Sequence, residues 1–186
     1  MLDSLITSKT RLKILLKFFL NPDNSSHLRG LATEFGESTN GVRVELNRFT
    51  QAGLLEASRE GRNIQYRVNI RHSLYSDINS IVRKYLGIDK IVEDIIAQLG
   101  NVRLAFITGD YARGIDSGLI DLVLIGEIDK PYLQLLVDKS EDLINRKIRT
   151  LVLSEKEYSR LRDNFSSENI LLLWGDNHNQ AITESK

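Results

Sequence analysis

The chain contains no cysteine among its 186 residues, which excludes disulfide bonds and thiolate metal ligands. No apolar run approaches the roughly 20 residues that a membrane span needs, and no signal peptide is visible. The three histidines, His27, His72 and His178, lie too far apart in sequence to show a metal-binding spacing. We therefore expect a cytoplasmic protein that holds no metal and no cofactor.

The chain also lacks a net charge, because 25 lysines and arginines balance 25 acidic residues. The charge is unevenly distributed, however. Through Arg71 there are eleven basic and seven acidic residues, so this part carries +4 and the remainder carries −4. The asymmetry fits a basic end that binds DNA, joined to an acidic domain with another role. The length allows one large domain or two small ones, and a hydrophobic fraction of 41% is enough for buried cores.

Two helices joined by a tight turn are predicted from Leu28 onward. The first helix has Ser26 as a candidate N-cap and ends near Gly36, because glycine accepts a left-handed backbone without steric cost. Ser38 or Thr39 caps the second helix. The inward faces comprise Leu28, Leu31 and Ala32 in the first helix and Val42, Leu46 and Phe49 in the second.

The outward face of the second helix is polar in its first turns. It presents Asn40, Arg43, Val44 and Asn47. Asparagine and arginine have the donors and the reach for base edges and phosphates in a major groove. A solvated surface with no ligand is the alternative for this face.

After Ala52 and Gly53 the period of the apolar residues changes from helical to alternating. Leu54 to Ser58 is predicted as one strand, and Ile64, Tyr66 and Val68 mark a second. The residues from Arg59 to Asn63 are expected to form the loop between them. A hairpin tip with two arginines, Arg59 and Arg62, suits a duplex backbone.

This region resembles a winged helix-turn-helix of the ArsR type, most specifically in the segment LNRFTQAGLLEASREGRNIQYRVN. The resemblance covers roughly the first 70 residues and implies DNA binding, with the second helix as the reader and the hairpin as the wing. It also implies a dimer, and metal-sensing members of the group often use cysteines that this chain lacks. The expected DNA contacts are Ser38, Thr39, Asn40, Arg43, Asn47, Arg48, Arg59, Arg62 and Asn63. A protein-contact module is the alternative for a winged helix.

Further helices flank the winged region. One runs from about Ser8 to Phe19 and should turn its lysines to solvent; it is broken at 21–24. After the wing, Leu74, Ile78, Ile81 and Tyr85 form an apolar stripe that stops at Gly87, and another apolar helix runs from Asp89 to Gly100. These faces either close the core of a domain or pair with a second copy of the chain. We expect a homodimer through this region.

From Val102 the pattern becomes α/β. The predicted strands are Val102 to Thr108, Leu119 to Ile125 and Ile148 to Leu153, while Ile170 to Trp174 is a strand or the start of a helix. Asp129, Lys130 and Pro131 should open a helix, with proline in its first turn. Ser154 and Glu157 form a capping box for a short helix. A polar, frayed tail is expected from Gly175.

The segment FITGDYARGIDSGLIDLVLIG resembles the signature loop of the nucleotidyltransferase superfamily. The resemblance covers roughly residues 100 to 155 and rests on Gly109, the Ala-Arg-Gly at 112–114, and Asp121. In that family a glycine lets the backbone approach a triphosphate, and acids hold two magnesium ions.

Three departures from the family pattern argue against catalysis. Asp110 stands at the serine position, Leu119 replaces the first acid of the pair, and the strand from Ile148 to Val152 supplies no third acid. One carboxylate cannot hold two divalent ions, and neither Asp110 nor Asp116 has the spacing to replace the lost acids. Asp121 is then either a structural acid, paired with Arg113 or loop amides, or part of a remnant pocket. That pocket would bind a nucleotide or another small anion through Gly109, Asp110, Arg113 and Asp121.

The sequence thus predicts an α+β protein with a winged helix-turn-helix over 1–71, a helical linker or dimerisation region over 72–100, a nucleotidyltransferase-like α/β domain with a small mixed sheet over 101–175, and a polar tail over 176–186. The predicted function is a DNA-binding transcriptional regulator whose inactive second domain serves as a sensor or interaction module. The predicted partners are double-stranded DNA, a second copy of the chain and a small anionic or nucleotide effector, with no membrane. The alternatives are an active metal-dependent nucleotidyltransferase, whose winged helix recognises the acceptor or a partner, and a scaffold with no DNA role.

Overall fold

The computed structural model describes residues 5–165 and 170–175. The chain divides into two compact units, Met1–Tyr85 and Leu86–Lys186. The fold class is α+β, as predicted, with a winged helix-turn-helix in the first unit and an α/β unit with a small mixed sheet in the second. The predicted tail over 176–186 lies outside the described residues. Within the described residues, no helix is both long enough and apolar enough to cross a bilayer.

The first unit consists of helices and one three-stranded sheet. Its elements are α1 (Lys9–Phe19), β1 (Ser25–His27), α2 (Leu28–Phe35), α3 (Thr39–Gln51), β2 (Leu55–Glu60), β3 (Asn63–Val68) and α4 (Tyr75–Leu86). The sheet order is β1-β3-β2, and both pairs are antiparallel. This is the arrangement of a winged helix, in which β2 and β3 form the wing.

Local sequence signals set most helix ends in this unit. Ser8 caps α1 by accepting a hydrogen bond from the Arg11 backbone N–H. Gly36 ends α2 with φ +64°, the left-handed conformation that was predicted for it. The prediction of Ser26 as the cap of α2 is wrong, because Ser26 lies in β1, where it pairs with Tyr66, and His27 takes the cap position.

Aromatic and aliphatic side chains fill the core between α1, α3 and the sheet. Val42, Leu46 and Phe49 are buried, as predicted, and Phe49 contacts Phe19 with ring centroids 6.5 Å apart. The prediction that the lysines of α1 face solvent is wrong for Lys17, which is buried and bound to Glu34 at 2.9 Å. A lysine in this position is stable because its ammonium is paired while its aliphatic stem packs in the core.

Helix α4 turns a different face inward from the one that the sequence suggested. Val82 is buried, and the Asn79 side chain donates a hydrogen bond to the Phe19 carbonyl. The predicted apolar stripe is largely outside, since Leu74 is 52% exposed and Ile81 is 48% exposed. Ile81 and the buried Val82 are neighbours in sequence, so α4 has apolar side chains on two adjacent faces, one buried and one largely exposed.

The second unit begins with α5, which consists of α-helix Ile88–Ile91, π-helix Val92–Ile96 and α-helix Ala97–Leu99. Then follow β4 (Val102–Thr108), α6 (Gly109–Ala112), β5 (Leu119–Gly126), α7 (Lys130–Ile144), β6 (Lys147–Leu153), α8 (Glu155–Leu161) with a 3₁₀ turn (Arg162–Asn164), and β7 (Leu171–Trp174). The sheet order is β6-β5-β4-β7. β5 and β6 are parallel, and the other pairs are antiparallel.

The predicted caps of this unit are confirmed. Asp129 accepts a hydrogen bond from the Tyr132 backbone N–H and starts α7, while Ser154 and Glu157 form the reciprocal capping box of α8. One face of the sheet is covered near Phe106 by Tyr158 and Phe165. The same face contains Asp121 farther along β5.

Candidate nucleic-acid interface and the Gly109 loop

The orientation of α3 is fixed by its cap and its buried residues. Ser38 Oγ accepts a hydrogen bond from the Gly41 backbone N–H at 3.1 Å, so this hydroxyl is already used within the protein. Val42 and Leu46 are completely buried. The opposite face is therefore turned outward, and it presents Thr39, Asn40, Arg43, Val44 and Asn47, all exposed.

The polar side chains of this face have no partners within the described residues. Asn40, Arg43 and Asn47 make no hydrogen bond or ion pair there. An exposed polar helix face followed directly by a hairpin is the geometry with which winged helices approach a duplex. These three side chains thus retain all their donors for an external ligand.

Arg48 differs from the other predicted contact residues because it is already engaged. Its Nη1 lies 3.0 Å from Glu45 Oε1, although the Arg48 side chain remains 59% exposed. Glu45 also accepts hydrogen bonds from Arg11 Nε at 2.9 Å and from Ser8 Oγ at 3.2 Å. Burial acts to raise the pKa of Glu45, but the hydrogen bond and charge of Arg11 outweigh it and hold this pKa below the usual value.

The wing is a hairpin with a shorter tip than expected. Glu60 pairs with Asn63, so the tip contains two residues, Gly61 and Arg62. The φ of Gly61 is +59°, as a glycine at the first central position of a type II′ turn adopts. The predicted loop from Arg59 to Asn63 is therefore wrong at both ends. Arg59, Glu60 and Asn63 belong to the strands, because a two-residue turn is enough to connect them.

The predicted wing residues are separated by the strand geometry. Arg62 is at the tip, Arg59 pairs with Ile64 on one face of the hairpin, and Asn63 pairs with Glu60 on the other. Ile64 is 51% exposed, so this end of the hairpin projects beyond the core. Arg59, Arg62 and Asn63 are all exposed.

The ion pairs of this unit leave arginines of α2, α3 and the wing unpaired. Most of the pairs engage cations of α1, namely Lys17 with Glu34, Lys13 with Glu37, and Arg11 with Glu45. Among the described residues of this unit, five exposed arginines have no ion pair: Arg29, Arg43, Arg59, Arg62 and Arg71. Three of the four cations of α1 are therefore paired, whereas Arg43, Arg59 and Arg62 of the proposed reading surface are not.

In the second unit, the Gly109 loop brings Asp121 against the backbone. The φ of Gly109 is +68°, and a Cβ at this position would lie 2.7 Å from Asp121 Oδ2, so only glycine fits. Asp121 Oδ1 accepts a hydrogen bond from Arg149 Nε at 2.6 Å. The suggestion that Asp121 pairs with Arg113 is wrong, because the parallel register of β5 and β6 sets Arg149 directly beside Asp121.

Arg113 is bound to the other acid of the loop. Its Nη2 donates to Asp110 Oδ1 across one turn of α6, and both side chains are exposed. Gly109 lies against Asp121 of β5, whereas Arg113 binds Asp110 instead of Asp121. The predicted anion pocket thus has its charges paired internally.

A third acid, Asp116, is fixed by two partners that the sequence did not reveal. Arg146 binds it with both Nε and Nη2, at 3.0 and 2.6 Å, and the Tyr111 hydroxyl donates to the same carboxylate. Burial acts to raise the pKa of Asp116, but these hydrogen bonds outweigh it and lower the pKa. Burial also raises the pKa of Tyr111, and Asp116 adds to this shift, so the phenol stays protonated.

Each acid of the loop is therefore matched by an arginine, and the described residues contain no group of three side chains suited to a metal ion. A cavity of about 750 Å³ lies at the other end of the sheet, near Val102, Gly126 and Ser154. It includes none of the predicted pocket residues.

No protein-family model matches the chain, and the curated proteins include no significant match. Solved structures do resemble parts of it. Reduced HlyU from Vibrio cholerae is 18% identical with a TM-score of 0.36, covering 45% of this chain and 82% of that protein. A chain from the Shewanella oneidensis complex of a tri-AMPylated HEPN toxin with its MNT antitoxin is 14% identical with a TM-score of 0.37, covering 51% and 75%.

A third structure is a Sulfolobus solfataricus protein whose assignment as a nucleotidyltransferase is itself a prediction. It is 23% identical with a TM-score of 0.33, covering 54% of this chain and 87% of that one. Likenesses this distant do not identify what this chain binds.

Proposed function

We propose that this protein is a cytoplasmic DNA-binding transcriptional regulator of the ArsR type. The observation that carries the proposal is the exposed face of α3, where Asn40, Arg43 and Asn47 have no partner among the described residues. Arginine pairs with guanine and asparagine with adenine in the major groove, so this face has the side chains for direct base readout. Thr39 completes the proposed base contacts.

The wing supplies the sequence-independent part of binding. Arg59 and Arg62 are exposed cations on a hairpin that projects beyond the core, and cations that neutralise phosphates release counterions and raise affinity for any duplex. The DNA backbone is also contacted at the edges of this surface, by Arg48, Ser38 and Asn63. The Glu45 carboxylate holds Arg48 in place without covering it.

We further propose a symmetric homodimer through α4. Leu74, Ile78, Ile81 and Tyr85 are spaced four, three and four residues apart, the period of a two-helix seam. If two copies of α4 pair antiparallel, Ile78 of one copy meets Ile81 of the other, and Asp77 lies beside Lys84. This charge match favours a second copy of the chain as the partner of α4. A dimer with two winged helices suits a two-fold symmetric operator.

The second unit is proposed to act as a sensor or interaction module without nucleotidyl transfer. Arginine pairing of Asp110, Asp116 and Asp121 supports the loss of the metal-dependent reaction. A nucleotide or another small anion is the proposed effector, bound beside Gly109. Calorimetry with nucleotides tests this part, and absence of heat would contradict it.

Selection of bound duplexes from a random pool tests the main proposal, using full-length protein at low salt. Enrichment of a two-fold symmetric sequence is the expected result. Retention of no duplex would favour the scaffold alternative. For the enzymatic alternative, incubation with a labelled nucleoside triphosphate and Mg²⁺ should transfer no label; transfer that Asp121→Asn abolishes would favour a nucleotidyltransferase.

A further inference from the structure

The nucleotidyltransferase resemblance implies divalent metal at the end of β5, and the donor set does not fit it. Magnesium takes six oxygen ligands in near-octahedral geometry, usually from more than one carboxylate together with waters and phosphates. Asp121 is the only acid of β5. Asp116 is occupied by Arg146 and Tyr111, and Asp110 by Arg113.

Both oxygens of Asp121 already have neighbours. Oδ1 receives the 2.6 Å hydrogen bond from Arg149 Nε, and Oδ2 lies against Gly109, so close that a Cβ there would be 2.7 Å away. The Asp121 side chain is 23% exposed and that of Arg149 is 68% exposed. The guanidinium therefore lies on the solvent side of the carboxylate and partly covers it.

The strand register explains why Arg149 has this position. β5 and β6 are parallel, and Asp121 pairs with Arg149, so their side chains leave the same face of the sheet. The sequence resemblance places the third metal-binding acid of nucleotidyltransferases on this strand. Here the strand supplies a fixed positive charge.

We propose that the Arg149 guanidinium takes the place of a divalent cation at Asp121, so that the Gly109 loop is charge-balanced without metal. The loop then keeps the same structure with or without magnesium. Arg149 is the residue that excludes metal, and a carboxylate at its position would complete a two-acid site with Asp121, because adjacent strands lie about 4.8 Å apart. This inference is independent of DNA binding.

Manganese titration of the full-length wild-type protein, followed by NMR, tests whether the Gly109 loop excludes metal. Mn²⁺ broadens signals of nearby nuclei through its unpaired electrons. We expect the Arg149 Nε–H signal, assigned by its loss in Arg149→Lys, and the Gly109 and Asp110 amide signals to stay sharp. Broadening of these signals that Asp121→Asn removes would overturn the proposal.

The Mn²⁺ affinities of three variants test whether a carboxylate in place of Arg149 creates a metal site. Arg149→Asp should bind Mn²⁺ at least about tenfold more tightly than Arg149→Gln, because hard cations gain affinity with the number of carboxylate ligands. The double variant Asp121→Asn/Arg149→Asp should lose this gain. A folded Arg149→Asp variant that binds no better than Arg149→Gln would overturn the proposal; if Arg149→Asp does not fold, the wild-type titration decides.

Discussion

Arg11 Nε lies 2.9 Å from Glu45 Oε2 and thereby joins α1 to the proposed reading helix. Glu45 is buried, with 8% of its side chain exposed, yet it faces three donors: Arg11, Arg48 and Ser8. A buried carboxylate with several charge-assisted hydrogen bonds keeps its charge and restricts its partners. Glu45 thus determines both the packing of α3 and the position of Arg48.

Glu45→Gln should destabilise the protein by about 1–3 kcal/mol, because it leaves two arginines without their carboxylate. Urea denaturation measures the effect. Glu56→Gln, at an exposed position of β2, is the matched control and should change the unfolding free energy by less than about 0.5 kcal/mol. Equal stability of the two variants would show that the Glu45 cluster contributes nothing.

Acid should destabilise the second unit through Asp116. Its pKa is lowered in the folded state, so the contribution is present above the ordinary aspartate pKa of 3.8 and is lost as the pH falls through the lower folded value. Asp116→Asn should remove this pH dependence. It should also cost about 2–4 kcal/mol at neutral pH, because the side chain of Arg146 is 13% exposed and loses its carboxylate partner.

Thermal unfolding from pH 2 to pH 7 measures both effects, with the exposed Asp142→Asn as control. If Asp116→Asn has the same unfolding profile as Asp142→Asn, the pairing with Arg146 does not stabilise this unit.

Arg43→Ala should weaken binding to a selected duplex by about 1–3 kcal/mol and relax the preference at one base pair, if this side chain contacts a guanine. Fluorescence anisotropy against the selected sequence and its single-base variants provides the measurement. Arg160→Ala, an exposed arginine of the second unit, should have no effect. An unchanged affinity in Arg43→Ala would remove Arg43 from the interface.

Arg62→Ala should weaken all duplexes alike. Because a phosphate contact releases a counterion, the slope of log K against log salt should become shallower by about one. Titrations of two unrelated duplexes at four salt concentrations test this. A sequence-dependent loss with an unchanged slope would assign Arg62 to base contacts.

Ile81→Glu should dissociate the homodimer, raising its dissociation constant at least about tenfold, which corresponds to about 1.4 kcal/mol. A charge in the centre of the α4 seam would have to be buried between two copies. Sedimentation velocity measures the state, with Ile64→Glu on the wing as a control of similar exposure. A monomeric wild-type protein would contradict the proposed dimer.

Signals that act within a few residues were sufficient to predict much of the fold. Gly36, Asp129 and the Ser154–Glu157 pair set helix ends through contacts with their own neighbours in sequence, and their roles were predicted. Ser38 caps α3 and was one of the two residues predicted for this role. The strand from Val102 to Thr108 followed from its apolar run. Such features do not depend on what packs against them.

The partners of charged residues were harder to predict because they depend on register and packing. Arg149 lies 28 residues from Asp121 and meets it only through the parallel β5–β6 pairing. Lys17 is buried because Glu34 lies beside it, although its helical position is typical of an exposed residue. The partners of Glu45 were not predicted for the same reason. An acid at an otherwise apolar helix position, with basic residues in α1, is the only signal that pointed to Glu45.

Only the base of the wing packs against the hydrophobic core. After Leu55 every residue of β2 is exposed, and the first two residues of β3 are exposed as well. Replacing side chains at this end therefore changes what the hairpin touches while leaving the folding energy nearly unaltered. Of all parts of the first unit, this is where new preferences for a ligand could evolve at the smallest cost to stability.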